Sequence, residues 1–153
     1  MSRCEIQKNG TTYLLSGSID ETFSLATGAL PVVGEVTFNL KGIKSINSTG
    51  IREWIKLMQK MKAVKITFLE CQKVFIDQVN MVQGFAPENS KIMSFYVPYF
   101  NESNETEKNV LFLNGEHYGD GKIKNLPKVV DEKGIEMELD VVEAKYFKFI
   151  KGK

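Results

Sequence analysis

The chain is poor in the residues that carry most metal and nucleophilic chemistry. Its 153 residues include two cysteines, Cys4 and Cys71, and one histidine, His117. Two cysteines 67 positions apart and one histidine do not supply the four ligands of a structural zinc site. A catalytic triad needs a base, and His117 lies in a glycine-rich polar turn with no serine or cysteine paired to it by local spacing. It reads as a surface-loop histidine. No run of about 18 apolar residues occurs, so no membrane span is expected. The first ten residues, MSRCEIQKNG, lack the apolar core of a secretory leader, which points to a cytoplasmic protein with reduced cysteines. Charge of one sign is also missing. Twenty basic and 19 acidic residues leave a net charge of +1, which gives no electrostatic footprint for nucleic acid or an anionic membrane.

Phosphate-binding motifs are absent as well. The nearest match to G-x-x-x-x-G-K-[ST] is GEHYGDGKI, Gly115 to Ile123. Position 116 is Glu where the first glycine would fall, and Ile123 replaces the hydroxyl residue. No G-x-G-x-x-G follows a strand. Glu136, Glu138 and Asp140 alternate on a predicted strand, which is the pattern of a solvated face. No cofactor, metal or catalytic residue is expected.

Hydrophobic residues make up 42% of the chain, enough for a packed domain, and their periodicity lays out the elements. Thr11–Ile19 reads as a strand, paired with Cys4–Lys8. Asp20–Leu30 reads ambiguously, with Asp20 a candidate N-cap for a short helix. Val36, Phe38 and Leu40 alternate with polar residues over Glu35–Leu40, a half-buried strand. From Gly50 the period changes. Ile51, Trp54, Ile55, Met58 and Met61 form one stripe of an amphipathic helix, opposite Arg52, Glu53, Lys56, Gln59 and Lys60. Val64–Leu69 reads as a buried strand and Cys71–Phe85 as a helix. Lys91–Phe100 is a further strand, with Pro98 placing its end at an edge or exit. The polar run Asn101–Asn109 (NESNETEKN) is the best linker candidate. Strand-like pieces follow at Val110–Leu113 and in one or two runs over Glu136–Ile150. The expected fold class is α/β, a mixed sheet with helices packed on it, over residues 1–100, plus a small strand-rich appendage over 101–153.

One short stretch stands out, SINSTGIREW, Ser45 to Trp54. Asn47, Ser48, Thr49 and Gly50 lie where a strand pattern gives way to a helix pattern. Asn47 or Ser48 suits an N-cap, and Gly50 suits a tight turn. A cap accounts for one hydroxyl and does not require two hydroxyls plus a glycine. A phosphate-binding turn and a modified hydroxyl are the competing readings.

Glu35 to Met58, EVTFNLKGIKSINSTGIREWIKLM, resembles the signature of the STAS domain, the fold of bacterial anti-sigma-factor antagonists: an apolar strand, D-x-S-S/T-G, and an amphipathic helix. The resemblance covers roughly residues 5 to 100, and the order of elements agrees with it. It implies a non-enzymatic regulatory protein that binds a kinase-like anti-sigma factor or another signalling protein. It also implies that the hydroxyl before the glycine, Thr49, is the phosphorylation candidate, with Ser48 as the second. Asn47 takes the position of the family's leading aspartate. Asn47, Ser48, Thr49, Gly50, Arg52, Glu53 and Lys56 would form the partner-binding surface. The alternative is a small-ligand or nucleotide-binding module that uses the 47–50 turn as an anion site.

The tail carries a second resemblance. Pro98 to Asn104, PYFNESN, looks like a zinc-ribbon knuckle of the form PY-x-C-x-x-C, with Asn101 and Asn104 in the cysteine places. Val130 and Lys133 would take the places of the second knuckle. The resemblance implies a degenerate ribbon held by docking instead of metal. A nucleic-acid role for such a tail fits poorly with 9 basic against 11 acidic residues over 101–153.

Overall fold

The computed structural model describes residues 4–28 and 30–152. The chain begins with a hairpin, β1 (Glu5–Asn9) and β2 (Thr12–Ile19), paired antiparallel as the sequence suggests. Three parallel crossovers follow: a single helical turn, α1 (Phe23–Ala26), to β3 (Gly34–Ile46); α2 (Ser48–Lys60) to β4 (Val64–Leu69); and α3 (Lys73–Met81) to β5 (Ser90–Ile92). Strand order in this mixed sheet is β1-β2-β3-β4-β5. Neighbouring parallel strands joined by crossovers of one hand place their helices on one face. Burial follows that rule. Val36, Phe38 and Leu40 of β3 and Val64, Ile66 and Phe68 of β4 are buried, while Glu35 and Lys65 are exposed and Thr37 and Thr67 half-exposed.

Trp54 of α2 is the hub of the core under the helices. Its ring meets Phe23, Phe38, Phe68, Phe75 and Phe85 at centroid distances of 5.4–6.1 Å. Its Nε1 donates to the carbonyl of Phe85 at 2.8 Å, which satisfies the one polar atom that burying an indole strands. That bond explains why α3 is shorter than the periodicity predicts. The helix stops at Met81, and the chain turns through Gly84 (φ +85) to bring Phe85 across Trp54.

The predicted strand over Lys91–Phe100 is two strands in two sheets. β5 ends at Ile92, and β6 (Ser94–Asn101) is the central strand of a second sheet of order β10-β6-β7. Pro98 therefore lies in a central strand, not at an edge. Its carbonyl accepts from Asp140 N at 2.9 Å, and it has no N–H to return the bond. The partner strand β10 (Glu138–Leu139) ends there.

Asn101–Asn109 is not a linker. β6 pairs with β7 (Thr106–Leu113) across a tight turn, Asn101 opposite Thr106. Polarity without periodicity here marks a hairpin tip, and the second sheet begins at Ser94, inside the stretch assigned to the first unit. A two-stranded ribbon, β8 (Tyr118–Gly119) and β9 (Lys122–Ile123), follows. The strand-like run before Ile150 is helical at its end: α4 (Glu143–Tyr146) and a 3-10 turn (Lys148–Gly152). Its aromatics, Tyr146, Phe147 and Phe149, pack around Phe95, whose ring meets them and Phe112 and Tyr118 at 5.0–6.1 Å and extends the same hydrophobic core. Asn80 of α3 ties this part to the first: its Nδ2 donates to Tyr146 O at 2.9 Å and its Oδ1 accepts from Phe149 N at 2.9 Å.

Candidate functional site

β2 and β3 end side by side, Ile19 opposite Ile46, and the chain leaves each through a polar turn. Parallel strands point their carboxyl ends, and the N-termini of the following helices, to one rim of the sheet, where binding sites of α/β folds concentrate. On this rim lie Asp20–Thr22 and Asn47–Gly50.

Asn47 is the cap. Its backbone is extended (φ −100, ψ 176), and its Oδ1 accepts from Gly50 N at 2.7 Å. Its carbonyl accepts the first helical bond, from Ile51 N at 2.9 Å, and its own N–H donates to Ile19 O at 3.1 Å. Its Nδ2 donates to Glu21 Oε2 at 3.1 Å. Asn47 thus joins the helix start to the end of β2 through its backbone N–H and to the turn after β2 through its side chain. An asparagine does this where an aspartate would not, because it donates to Glu21 while it accepts from Gly50.

Gly50 has a different role from the turn residue expected. It lies inside α2, and a Cβ there would stand 1.9 Å from Ile19 O and 2.4 Å from Ile19 C. Glycine is required because the helix start rests on the backbone of β2. Asp20 is likewise not the cap of α1. Its Oδ1 accepts from Thr22 N at 2.9 Å and Thr22 Oγ1 at 2.6 Å, which shapes the turn, while Thr22 takes the cap position with no side-chain bond to the helix N–H groups.

Ser48 is exposed and Thr49 half-buried, and neither hydroxyl has a side-chain hydrogen bond among the described residues. One turn on, Arg52 and Lys56 are exposed and Glu53 is half-buried, with Lys56 Nζ 3.4 Å from Glu53 Oε1. A groove of about 370 Å³ runs beside this face, lined by Thr27, Glu53, Lys56, Leu57 and Lys60. The structure therefore brings all seven sequence-selected residues, 47–50, 52, 53 and 56, to one helix start and its exposed flank. It adds Glu21, which no local pattern marks, because its link to Asn47 spans 26 residues.

His117 Nδ1 accepts from Leu113 N at 2.9 Å, and the ring stacks on Phe112 at 5.1 Å. Cys4 and Cys71 are both buried and free. Burial, then the charges of Asp20 and Glu5, pushes the Cys4 thiol up to about 11, and burial raises that of Cys71 well above its usual value. Neither supplies a thiolate near neutral pH. Glu136, Glu138 and Asp140 are all exposed. Among the described residues no group of three or more His, Cys, Asp or Glu could hold a metal, and no helix is long and apolar enough to cross a membrane.

In the tail, Asn101 and Asn104 come together on the side chain of Asp131, which lies in the 130–133 turn, and no side-chain hydrogen bond joins them to Val130 or Lys133 among the described residues. Both Nδ2 groups donate to Asp131 Oδ2, at 3.0 and 2.7 Å. Asp131 Oδ1 accepts from the N–H groups of Lys133 and Ile135 at 2.9 and 3.0 Å. Val130 and Lys133 are exposed. The hydrogen bond from Asn104 first, then that from Ile135 N–H, with smaller ones from Lys133 and Asn101, holds the Asp131 carboxyl below the usual carboxylate range. The signal in the sequence is D-x-x-G, Asp131 to Gly134, a side chain bonded to its own turn.

No protein-family model, no curated protein and no solved structure matches the chain.

Proposed function

We propose that the chain is a non-enzymatic regulatory module of STAS type in which the Asn47–Gly50 turn and the exposed face of α2 dock a signalling protein, with Thr49 as the switch. One observation carries the reading: Asn47 caps the helix, and the Ser48 and Thr49 hydroxyls at the helix mouth have no hydrogen bond among the described residues. A phosphate on Thr49 adds about −1.5 to −2 charges at a helix N-terminus, where N–H groups and the dipole favour an anion. The domain tolerates it, and the effect is outward, on whatever packs over the turn. Asn47 in place of the family's aspartate keeps one carboxylate away from that phosphate, although Glu21 remains near. The tail, in this reading, is a ribbon-like appendage whose two turns are joined by Asp131 where the family has metal. A cytoplasmic setting belongs to the same proposal. The anion-site alternative is weaker, because Asn47 Oδ1 already occupies the Gly50 N–H.

The test is affinity purification of the tagged chain from its own cells, with mass spectrometry of the co-purified proteins and of the peptide spanning Ser48 and Thr49. A signalling partner retained by wild type and lost from Thr49→Glu, with phosphate on Thr49, is the expected outcome. A partner bound equally by Thr49→Glu and wild type, with Thr49 unmodified, would sink the switch.

A further inference from the structure

We infer that the partner presents an acidic surface to α2, and that the switch works by cancelling the charge of this helix. The inference rests on the protein-binding reading above and names the chemistry of the partner.

At 100° per residue, Ser48, Thr49, Arg52, Glu53, Lys56, Gln59 and Lys60 fall on one arc of α2, and each is exposed or half-buried. The opposite arc, with Gly50, Trp54, Leu57 and Met58, is buried. The outward arc carries three cations, Arg52, Lys56 and Lys60, and one anion, Glu53, a net of +2. Glu53 lies 3.4 Å from Lys56, and no carboxylate among the described residues forms an ion pair with Arg52 or Lys60. The whole chain has a net charge of only +1, so this arc concentrates charge that the rest of the protein balances.

The groove beside the arc sharpens the fit. It is lined by Lys56 and Lys60 with Glu53, by Thr27, and by Leu57, which is 6% exposed, so two ammonium groups face one carboxylate there. A segment that suits it carries carboxylates flanking a small apolar side chain. Lysines on flexible stems lose little by being solvated in the free protein, and a facing carboxylate set steers encounter and fixes register.

Thr49 lies within this arc, one turn before Arg52 and Glu53. A phosphate of about −1.5 to −2 there brings the net +2 of the arc to about zero. Arg52, at i+3, is placed to pair with it and is thereby withdrawn from the partner. The modification thus removes an attraction as well as adding a desolvation cost, with no change of fold required.

The test uses the full chain and its co-purified partner, joined with a carbodiimide, which couples a lysine amine only to a carboxylate in contact with it. The Lys56–Glu53 pair within the chain serves as the internal positive control. Cross-links from Lys56 or Lys60 to aspartate or glutamate of the partner are expected. Lys56→Glu/Lys60→Glu should weaken binding by about tenfold or more, and Lys56→Arg/Lys60→Arg should keep it within about twofold. Thr49→Glu should weaken it several-fold, and less so as salt is raised. Both lysines are exposed, and unchanged circular dichroism of the variants controls for folding. A partner that binds the double Glu variant as it binds wild type, or that is lost equally with the double Arg variant, overturns the acidic-surface inference and leaves the switch standing. No partner with any variant overturns both.

Discussion

Gly50 rests on the carbonyl of Ile19 so closely that a methyl group in place of its hydrogen would stand 1.9 Å from that oxygen. The contact involves backbone on both sides, so no flexible side chain can move away. Helix propensity and packing therefore give opposite signs for Gly50→Ala. Propensity alone favours the variant by about 1 kcal/mol. Overpacking costs about 1–3 kcal/mol and more where nothing can give way, and against a fixed backbone it should win. Urea denaturation measures the outcome, and a variant as stable as wild type would show that α2 can slide along β2.

Asn47→Ala removes the side-chain N-cap of α2 together with the bond to Glu21. A loss of about 1 kcal/mol is expected. Asn47→Asp keeps the acceptor for Gly50 N but sets a carboxylate against Glu21. It should recover part of that loss, and more of it at 0.5 M salt than at low salt, because the repulsion is between exposed groups. Thermal melts of the two variants at two salt concentrations decide this. An Asp variant indifferent to salt would mean that Glu21 turns away.

Asp131 gives the tail a pH dependence whose sign follows from its partners. Hydrogen bonds hold its carboxyl in the folded chain below the unfolded value of about 3.9. The stabilisation is complete above that value and is lost as pH falls through the lower, folded one. Asp131→Asn should therefore melt below wild type at pH 6, and the gap should narrow below about pH 4. Amide exchange at Lys133 and Ile135, both donors to Asp131, should quicken in the variant, while the amides of α2 stay protected. A gap of constant size across pH would show that the charge of Asp131 contributes nothing.

The parts of this protein legible from sequence are those set by neighbours a few positions apart. The alternation of Val36, Phe38 and Leu40 marks β3, and the 3.6-residue stripe through Trp54 marks α2, because a strand or helix must bury one face. The polar cluster at 47–50 is legible for the same reason: orphan N–H groups at a helix start call for a capping side chain, and Asn47 supplies it. Tertiary structure decided the rest. α3 stops at Met81 because Phe85 must offer its carbonyl to an indole 31 residues away. Pro98 can occupy a central strand because β10 ends beside it. Asn101–Asn109 holds a hairpin tip and the start of β7, and Asp131, 30 residues from Asn101, accepts from the side-chain amides of Asn101 and Asn104. Glycine at 50 looks like turn chemistry in the sequence and is in fact a packing requirement set by Ile19. In each case the deciding partner is distant along the chain, and only the fold brings its carbonyl or carboxylate within hydrogen-bonding or van der Waals range.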